Sequence, residues 1–297
     1  MTAPSRPRPP ATRSAAAPAG VLTAVCAALV ALLYVAAVRT PTGQAWDERL
    51  RGGLVDDAGR AGSAGGELLN TISVGSLAVV GGALMLTALV RRRPRVAVAA
   101  GLAVLGANVT TQWLKAHLER PDLGAEWWTS AGSYPSGHAT VAMSLAVAAV
   151  LVAPTAARVS AAVLGGTYAV AVGVAVVGLD WHRPSDVLGG YLTAAAWGGL
   201  VITALALWPD AASARARVSR RGRIWGLLGA TVATAVVGTL VVRAAGDVDL
   251  GRLWQDRTGL MAVGAVCAAL SAALMTATVV LAERTSVGRP QAAHRRR

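Results

Sequence analysis

Apolar runs separated by short polar segments fill most of this chain. Eight are long enough to cross a bilayer, roughly Ala19–Val38, Leu68–Val90, Val96–Leu114, Ala139–Ala157, Val159–Leu179, Val187–Trp208, Ile224–Val242 and Gly259–Ala282. About 20 helical residues span the ~30 Å hydrocarbon core, so these runs predict transmembrane helices. The fold class that follows is all-α, a polytopic transmembrane helical bundle. Gly and Ala are abundant within the runs. That suits the reading, because small residues let helices approach closely where lipid removes the hydrophobic drive between them. Divided at the runs, the chain has a disordered tail rich in Pro and Arg (1–18), a six-span core (19–208) and a basic loop (209–223). Two additional spans (224–282) and a basic tail (283–297) complete it.

Composition sharpens this picture. With 54% hydrophobic residues, 14% charged and no Phe, the chain is too apolar for a soluble domain of its length. The first run has a basic lead and a Val35-Ala36-Ala37 triplet, as a secretory signal would. Its apolar stretch of about 20 residues is longer than a signal's apolar region, so an uncleaved anchor is expected. Cys26 and Cys267 fall inside the first and last runs, where thiols serve as small apolar fillers. Trp113, Trp208 and Trp225 sit near run ends, as interfacial anchors do.

Charge gives the orientation. With the amino terminus in the cytoplasm, the inside segments hold 18 of the 28 cationic residues and two acids, Asp210 and Glu283. The outside segments hold the other 10 cations and 13 acids, so the inside is +16 and the outside −3. Cytoplasmic loops carry the excess of Arg and Lys in membrane proteins. Both termini are therefore expected to be cytoplasmic, in a multi-pass protein of the cell membrane. The net charge of +13 does not indicate nucleic acid as a partner, since it orients the spans and no soluble domain remains to carry a binding face. The expected partner is the bilayer itself. The outside segment Arg39–Glu67 is acidic and Gly-rich and shows no recognisable motif.

The polar residues that carry chemistry cluster at three outside mouths: Lys115–Pro121, Tyr134–His138 and Trp181–Asp186. The alternation of spans returns all three to one surface. Ser136-Gly137-His138 stands where a span begins, so unpaired N–H groups and the positive helix end face outward, an anion site. Gly137 allows close backbone approach, Ser136 adds a hydroxyl, and His138 can protonate a leaving oxygen. A plain turn with Ser136 as N-cap is the simpler alternative. In His182-Arg183-Pro184-Ser185-Asp186, Pro184 suits the first helical position, with His182 just before the helix and Asp186 in its first turn. A carboxylate on Nδ1–H fixes the tautomer and leaves Nε2 free to attack. The simpler alternative has Asp186 favouring the helix dipole and His182 at the interface. Lys115 and Arg120 would diverge by about 140° on one helix. Arg120 precedes Pro121 and is biased out of the helix, so the two can converge. No cluster of Asp, Glu, His or Cys has metal-ligand spacing, and neither a metal nor a cofactor is implied.

This set resembles the type 2 phosphatidic acid phosphatase superfamily, which includes membrane lipid phosphate phosphatases and vanadium haloperoxidases. The resemblance covers roughly Val96 to Trp208. Pro135-Ser136-Gly137-His138 matches the middle motif fully, and His182, Pro184, Ser185 and Asp186 match the third. By resemblance, His182 is the nucleophile, Asp186 its orienter and His138 the general acid, while Lys115, Arg120, Ser136 and Gly137 bind phosphate. Two positions depart from the pattern. The family's pattern has six residues between the lysine and Arg-Pro, which puts Trp113 in register with the lysine, whereas Lys115 and Arg120 have four between them. The third-motif Ser-Arg is replaced by Ala175-Val176, and Arg183 is the candidate substitute for the missing cation. The resemblance implies hydrolysis of a lipid phosphate or prenyl pyrophosphate through a phosphohistidine, outside the cytoplasm. A phosphotransferase of the same family and a non-catalytic phospholipid-binding protein are the alternatives.

Overall fold

The computed structural model describes residues 13–58, 74–124, 132–208 and 258–285. Among them every regular element is helical: α1 (Arg13–Leu33) running into a π-helical turn (Tyr34–Val38), α2 (Pro41–Ala58), α3 (Val74–Val90), α4 (Pro94–His117), α5 (Gly137–Val152), a 3₁₀ turn (Thr155–Ala157), α6 (Arg158–Gly178), α7 (Pro184–Leu207) and α8 (Thr258–Arg284). Each predicted span with described residues overlaps one of these helices, although Ala139–Ala157 overruns α5, which stops at Val152 ahead of Pro154, and residues 68–73 of the second lie outside the described residues. The predicted span Ile224–Val242 and the loop 209–223 lie outside the described residues. Among the described residues five helices are long and apolar enough to cross a membrane, and α5 and most of α3 (Ser76–Val90) are shorter apolar helices. They mark a multi-pass membrane protein. Val79 (71% exposed) and Leu164 (70%) show why: such faces find their low-energy environment in hydrocarbon, where water would impose the full cost of apolar hydration.

Helices meet through small residues. Where α1 lies on α7, a Cβ at Gly199 would come within 2.8 Å of the Ala19 carbonyl. At Gly165 of α6 it would stand 2.9 Å from Cα of Ala146 in α5. Without side chains at those points the backbones approach until dispersion contacts fill the gap. A few polar bonds add register: Trp197 Nε1 donates to Thr110 at 3.0 Å, and the Thr111 and Thr140 hydroxyls are 3.0 Å apart.

The bundle has two polar ends. At one, Arg93 and Arg91 donate to the Val152 carbonyl at the C-terminus of α5, at 3.1 and 3.4 Å, where cations offset the negative helix end. Arg95 lies over the Trp208 ring, and buried Arg158 is near Glu283 of α8. At the other end lie the three motif segments, α2, and the start of α8, where Gly259 packs on Gly53. Trp208 and Gly259 therefore sit at opposite ends of the bundle.

The segment expected to carry no motif holds α2, an element the sequence reading did not identify. Its buried positions are Gln44, Asp47, Arg51 and Leu54, one stripe at 3-4-3 spacing. Three of the four are polar, so the helix shows no apolar periodicity although one face is covered.

Candidate functional site

The end of α4 sets the first part of the site. The helix stops at His117, Leu118 turns extended, and Arg120 leaves the helical path, as the following Pro121 dictates. Lys115 stays on the last turn, where a Cβ at Gly137 would lie 3.8 Å from its Nζ. Arg120 is buried, and its Nη2 donates to Asp186 Oδ1 at 3.0 Å. Lys115 and Arg120 thus reach the same site by different routes, one from a helix and one from the loop beyond it. The loop is held from outside: Tyr34 donates to the Glu119 carbonyl at 2.8 Å and Gln44 to the Pro121 carbonyl at 2.8 Å.

The second part is the Tyr134–His138 segment, entered through a cis Tyr134–Pro135 peptide. Tyr134 is buried, with its hydroxyl donating to the Val30 carbonyl at 2.7 Å. Ser136 caps α5, its Oγ accepting from the Ala139 amide at 3.4 Å, and its own N–H donates to the Asp186 carbonyl at 2.8 Å. The hydroxyl therefore serves the helix end. Consecutive glycines on α7 make room for the segment. A Cβ at Gly189 would meet the Tyr134 ring at 2.6 Å, and one at Gly190 the Ser136 carbonyl at 2.7 Å. His138, in the first turn of α5, is half-buried beside the exposed Trp181, ring centroids 5.6 Å apart. Lys115 and His182 are within electrostatic range of it.

The third part begins where α6 ends. Asp180 takes a left-handed backbone (φ 62°), and the amides of Trp181 and His182 both donate to the Val176 carbonyl, at 3.0 and 3.1 Å. This tight exit brings His182 next to α7. His182 Nδ1 lies 3.3 Å from Asp186 Oδ2, and the same oxygen accepts the Arg183 amide at 3.0 Å. Both Asp186 oxygens are thereby engaged, one by the His182–Arg183 turn and the other by Arg120, and its side chain is fully buried. Val176 is wholly buried in α6, so the position that departs from the motif is a packing position here.

The structure brings Lys115, Arg120, Ser136, Gly137, His138, His182, Arg183 and Asp186 together at one end of the bundle. It adds three residues that sequence reasoning missed. Asp47 accepts the Ser185 amide at 2.9 Å and the Ser185 hydroxyl, and lies 4.0 Å from Arg120 Nη1. Glu48 accepts Arg183 Nε at 3.3 Å. Arg51 bridges Glu48 and Asp180. Burial and the neighbouring Asp186 charge raise the Asp47 carboxyl to about 6, against the opposing bonds from Ser185 and the charge of Arg120. The signal that marks these residues is the polar 44–47–51 stripe, legible only if buried faces are allowed to be polar. Chemically, the arrangement offers a histidine oriented by a carboxylate, a second histidine, and cations at a helix N-terminus. Those are the parts of a nucleophile, a proton donor and an anion cradle.

Residues 96–210 match the model of the PAP2 superfamily, in agreement with the resemblance carried by the motifs. No curated protein and no solved structure matches the chain. The matched segment runs from α4 to just beyond α7 and so leaves out α2.

Proposed function

We propose that this protein is an integral-membrane phosphatase that hydrolyses a lipid phosphate or prenyl pyrophosphate through a phosphohistidine, at the extracytoplasmic face. The observation that carries the reading is the contact between His182 Nδ1 and Asp186, 3.3 Å, in the same small region as His138 and Lys115. The PAP2 match supports phosphatase-type chemistry.

Substrate tails lodge among the exposed apolar helix faces and the phosphate enters at the α5 N-terminus. His182 Nε2 attacks phosphorus, and the bond to the leaving oxygen breaks as His138 gives that oxygen its proton. Asp186 holds the imidazole through Nδ1 and balances the charge that appears on it. Lys115, Arg120, Arg183 and the Gly137 backbone stabilise the phosphoryl oxygens, with Ser136 fixing the helix end that presents them. His138 then accepts a proton from water, whose oxygen attacks phosphorus, and the P–N bond breaks to free His182. Transfer to an alcohol shares the first half of this sequence, and only the acceptor differs.

The test is phosphate release by detergent-purified protein from undecaprenyl pyrophosphate, phosphatidic acid and phosphatidylglycerol phosphate, with EDTA present. The expected result is turnover that survives chelation, is inhibited by vanadate, and disappears in His182→Ala together with acid-labile phosphoenzyme. Activity lost in EDTA and restored by Mg²⁺ would overturn the mechanism.

A further inference from the structure

We propose that Asp47 of α2 is a positioning residue for the His182–Asp186 pair; this rests on the phosphatase reading above. Asp47 is 5% exposed, on a helix that is not a span and lies outside the PAP2-matched segment. It reaches the pair by two routes. The first is Ser185, whose amide and hydroxyl both bond to Asp47. Ser185 directly precedes Asp186 in the first turn of α7, so Asp47 holds in place from outside a turn that Pro184 starts. The second is Arg120, whose guanidinium stands between two carboxylates, 3.0 Å from Asp186 and 4.0 Å from Asp47. Asp47 shares that cation and so sets how strongly it holds Asp186, which in turn holds His182.

Its charged neighbours come from every side. Arg120 comes from the loop after α4, Asp186 from α7, and Glu48 and Arg51 from its own helix, while the Tyr134 hydroxyl belongs to the segment before α5. None of them contacts Ser185 in its place among the described residues. A carboxylate is suited to the post because it accepts from both Ser185 donors while opposing a guanidinium. An isosteric amide keeps the bonds to Ser185, with Oδ1 accepting the amide and Nδ2 donating to the hydroxyl, and removes only the charge.

Asp47→Asn therefore separates positioning through Arg120 from simple capping of α7. The expected result is a folded protein with kcat lowered 30-fold or more and KM changed less than threefold, because small misplacements of reacting groups cost about 10² in rate. Asp47→Ala should fall further, and Ser185→Ala should lie between. Asp47→Asn with kcat within threefold of wild type would overturn the proposal and leave the phosphatase reading intact. Should the wild-type protein hydrolyse none of the three substrates, the phosphatase reading fails by itself, and vanadate affinity by calorimetry decides the role of Asp47. Loss of a negative charge alone tightens an anion, so tenfold weaker vanadate binding in Asp47→Asn supports lost alignment. Equal or tighter binding overturns it.

Discussion

Gly190→Ala adds a single methyl to α7 and should damage the protein out of proportion to its size. The new Cβ would lie 2.7 Å from the Ser136 carbonyl, 3.0 Å from Thr140 Oγ1 and 3.1 Å from the Ala139 Cβ. Two of these neighbours are backbone or short side chain at a helix start and cannot swing away. Alanine is worth up to about 1 kcal/mol over glycine in a helix interior, whereas overpacking costs about 1–3 kcal/mol. A net loss of roughly 0–2 kcal/mol is expected from the balance of those two. The larger effect falls on activity. The Ser136 amide is bonded to the Asp186 carbonyl at 2.8 Å, so displacing Ser136 shifts His138 relative to His182 and should lower kcat by about 10²-fold. Gly82→Ala is the control, because nothing lies within 4 Å of its Cβ; it should be neutral or slightly stabilising. The assay is thermal unfolding in detergent beside steady-state phosphate release. Gly190→Ala with wild-type stability and turnover would refute the packing argument.

Other outcomes follow from the same geometry. Arg183→Ala should lower kcat/KM by about 10²-fold if it serves the phosphate, and Glu48→Gln, which leaves an oxygen to accept its Nε but removes the charge facing it, should lower KM; an effect of Arg183→Ala under threefold would leave it a loop anchor. Asp47 also makes stability depend on pH. Its folded carboxyl is raised to about 6 from 3.8, so the folded state holds a proton that the unfolded state has lost between those values. Stability should fall as pH rises from about 4 to 6, by roughly 3 kcal/mol, and then level off. Unfolding across that range should be flatter in Asp47→Asn, and an identical slope would refute the assignment. Cysteines at the exposed positions 122 and 181 should react with an impermeant maleimide in intact cells, while one at 219 should not; the opposite pattern would invert the proposed topology.

The helices were legible because lipid imposes a strong pattern, about 20 apolar residues per crossing. The motif segments were legible because histidine is rare in this chain and the residues around it have definite local roles. Pro184 starts α7 and Pro121 turns Arg120 out of α4, as their ring chemistry requires. The capping role of Ser136 was visible too. What escaped was α2. Periodicity analysis looks for apolar stripes, and the buried stripe of this helix is Gln44, Asp47 and Arg51, ending in Leu54. Each polar member answers a group elsewhere in the chain: a carbonyl at Pro121, a donor pair at Ser185, a carboxylate at Asp180. Such complementarity between distant segments leaves no local signature, because neither half of the pair is unusual alone.

That complementarity also alters how the cations are understood. Counted along the sequence, Lys115, Arg120 and Arg183 form a positive set awaiting phosphate. In the fold, Arg120 lies between Asp186 and Asp47, and Arg183 meets Glu48. A guanidinium already facing carboxylates is fixed in direction but offers a partly offset charge, so its value to an incoming phosphate is less than that of a solitary cation. Lys115 differs. Among the described residues it makes no ion pair, and it stands beside Gly137 at the N-terminus of α5, where helix end and ammonium act on the same space. On the proposed reading, recognition of the phosphate therefore centres on Lys115 and the α5 amides, while Arg120 and Arg183 add a partly offset charge and, with the α2 carboxylates, hold Asp186 and the His182 turn in register. The position of the missing third-motif cation is filled by the buried Val176, and the cations around the turn, Arg183 and Arg51, face Glu48 and Asp180. The Arg183→Ala and Asp47→Asn measurements weigh these two contributions directly.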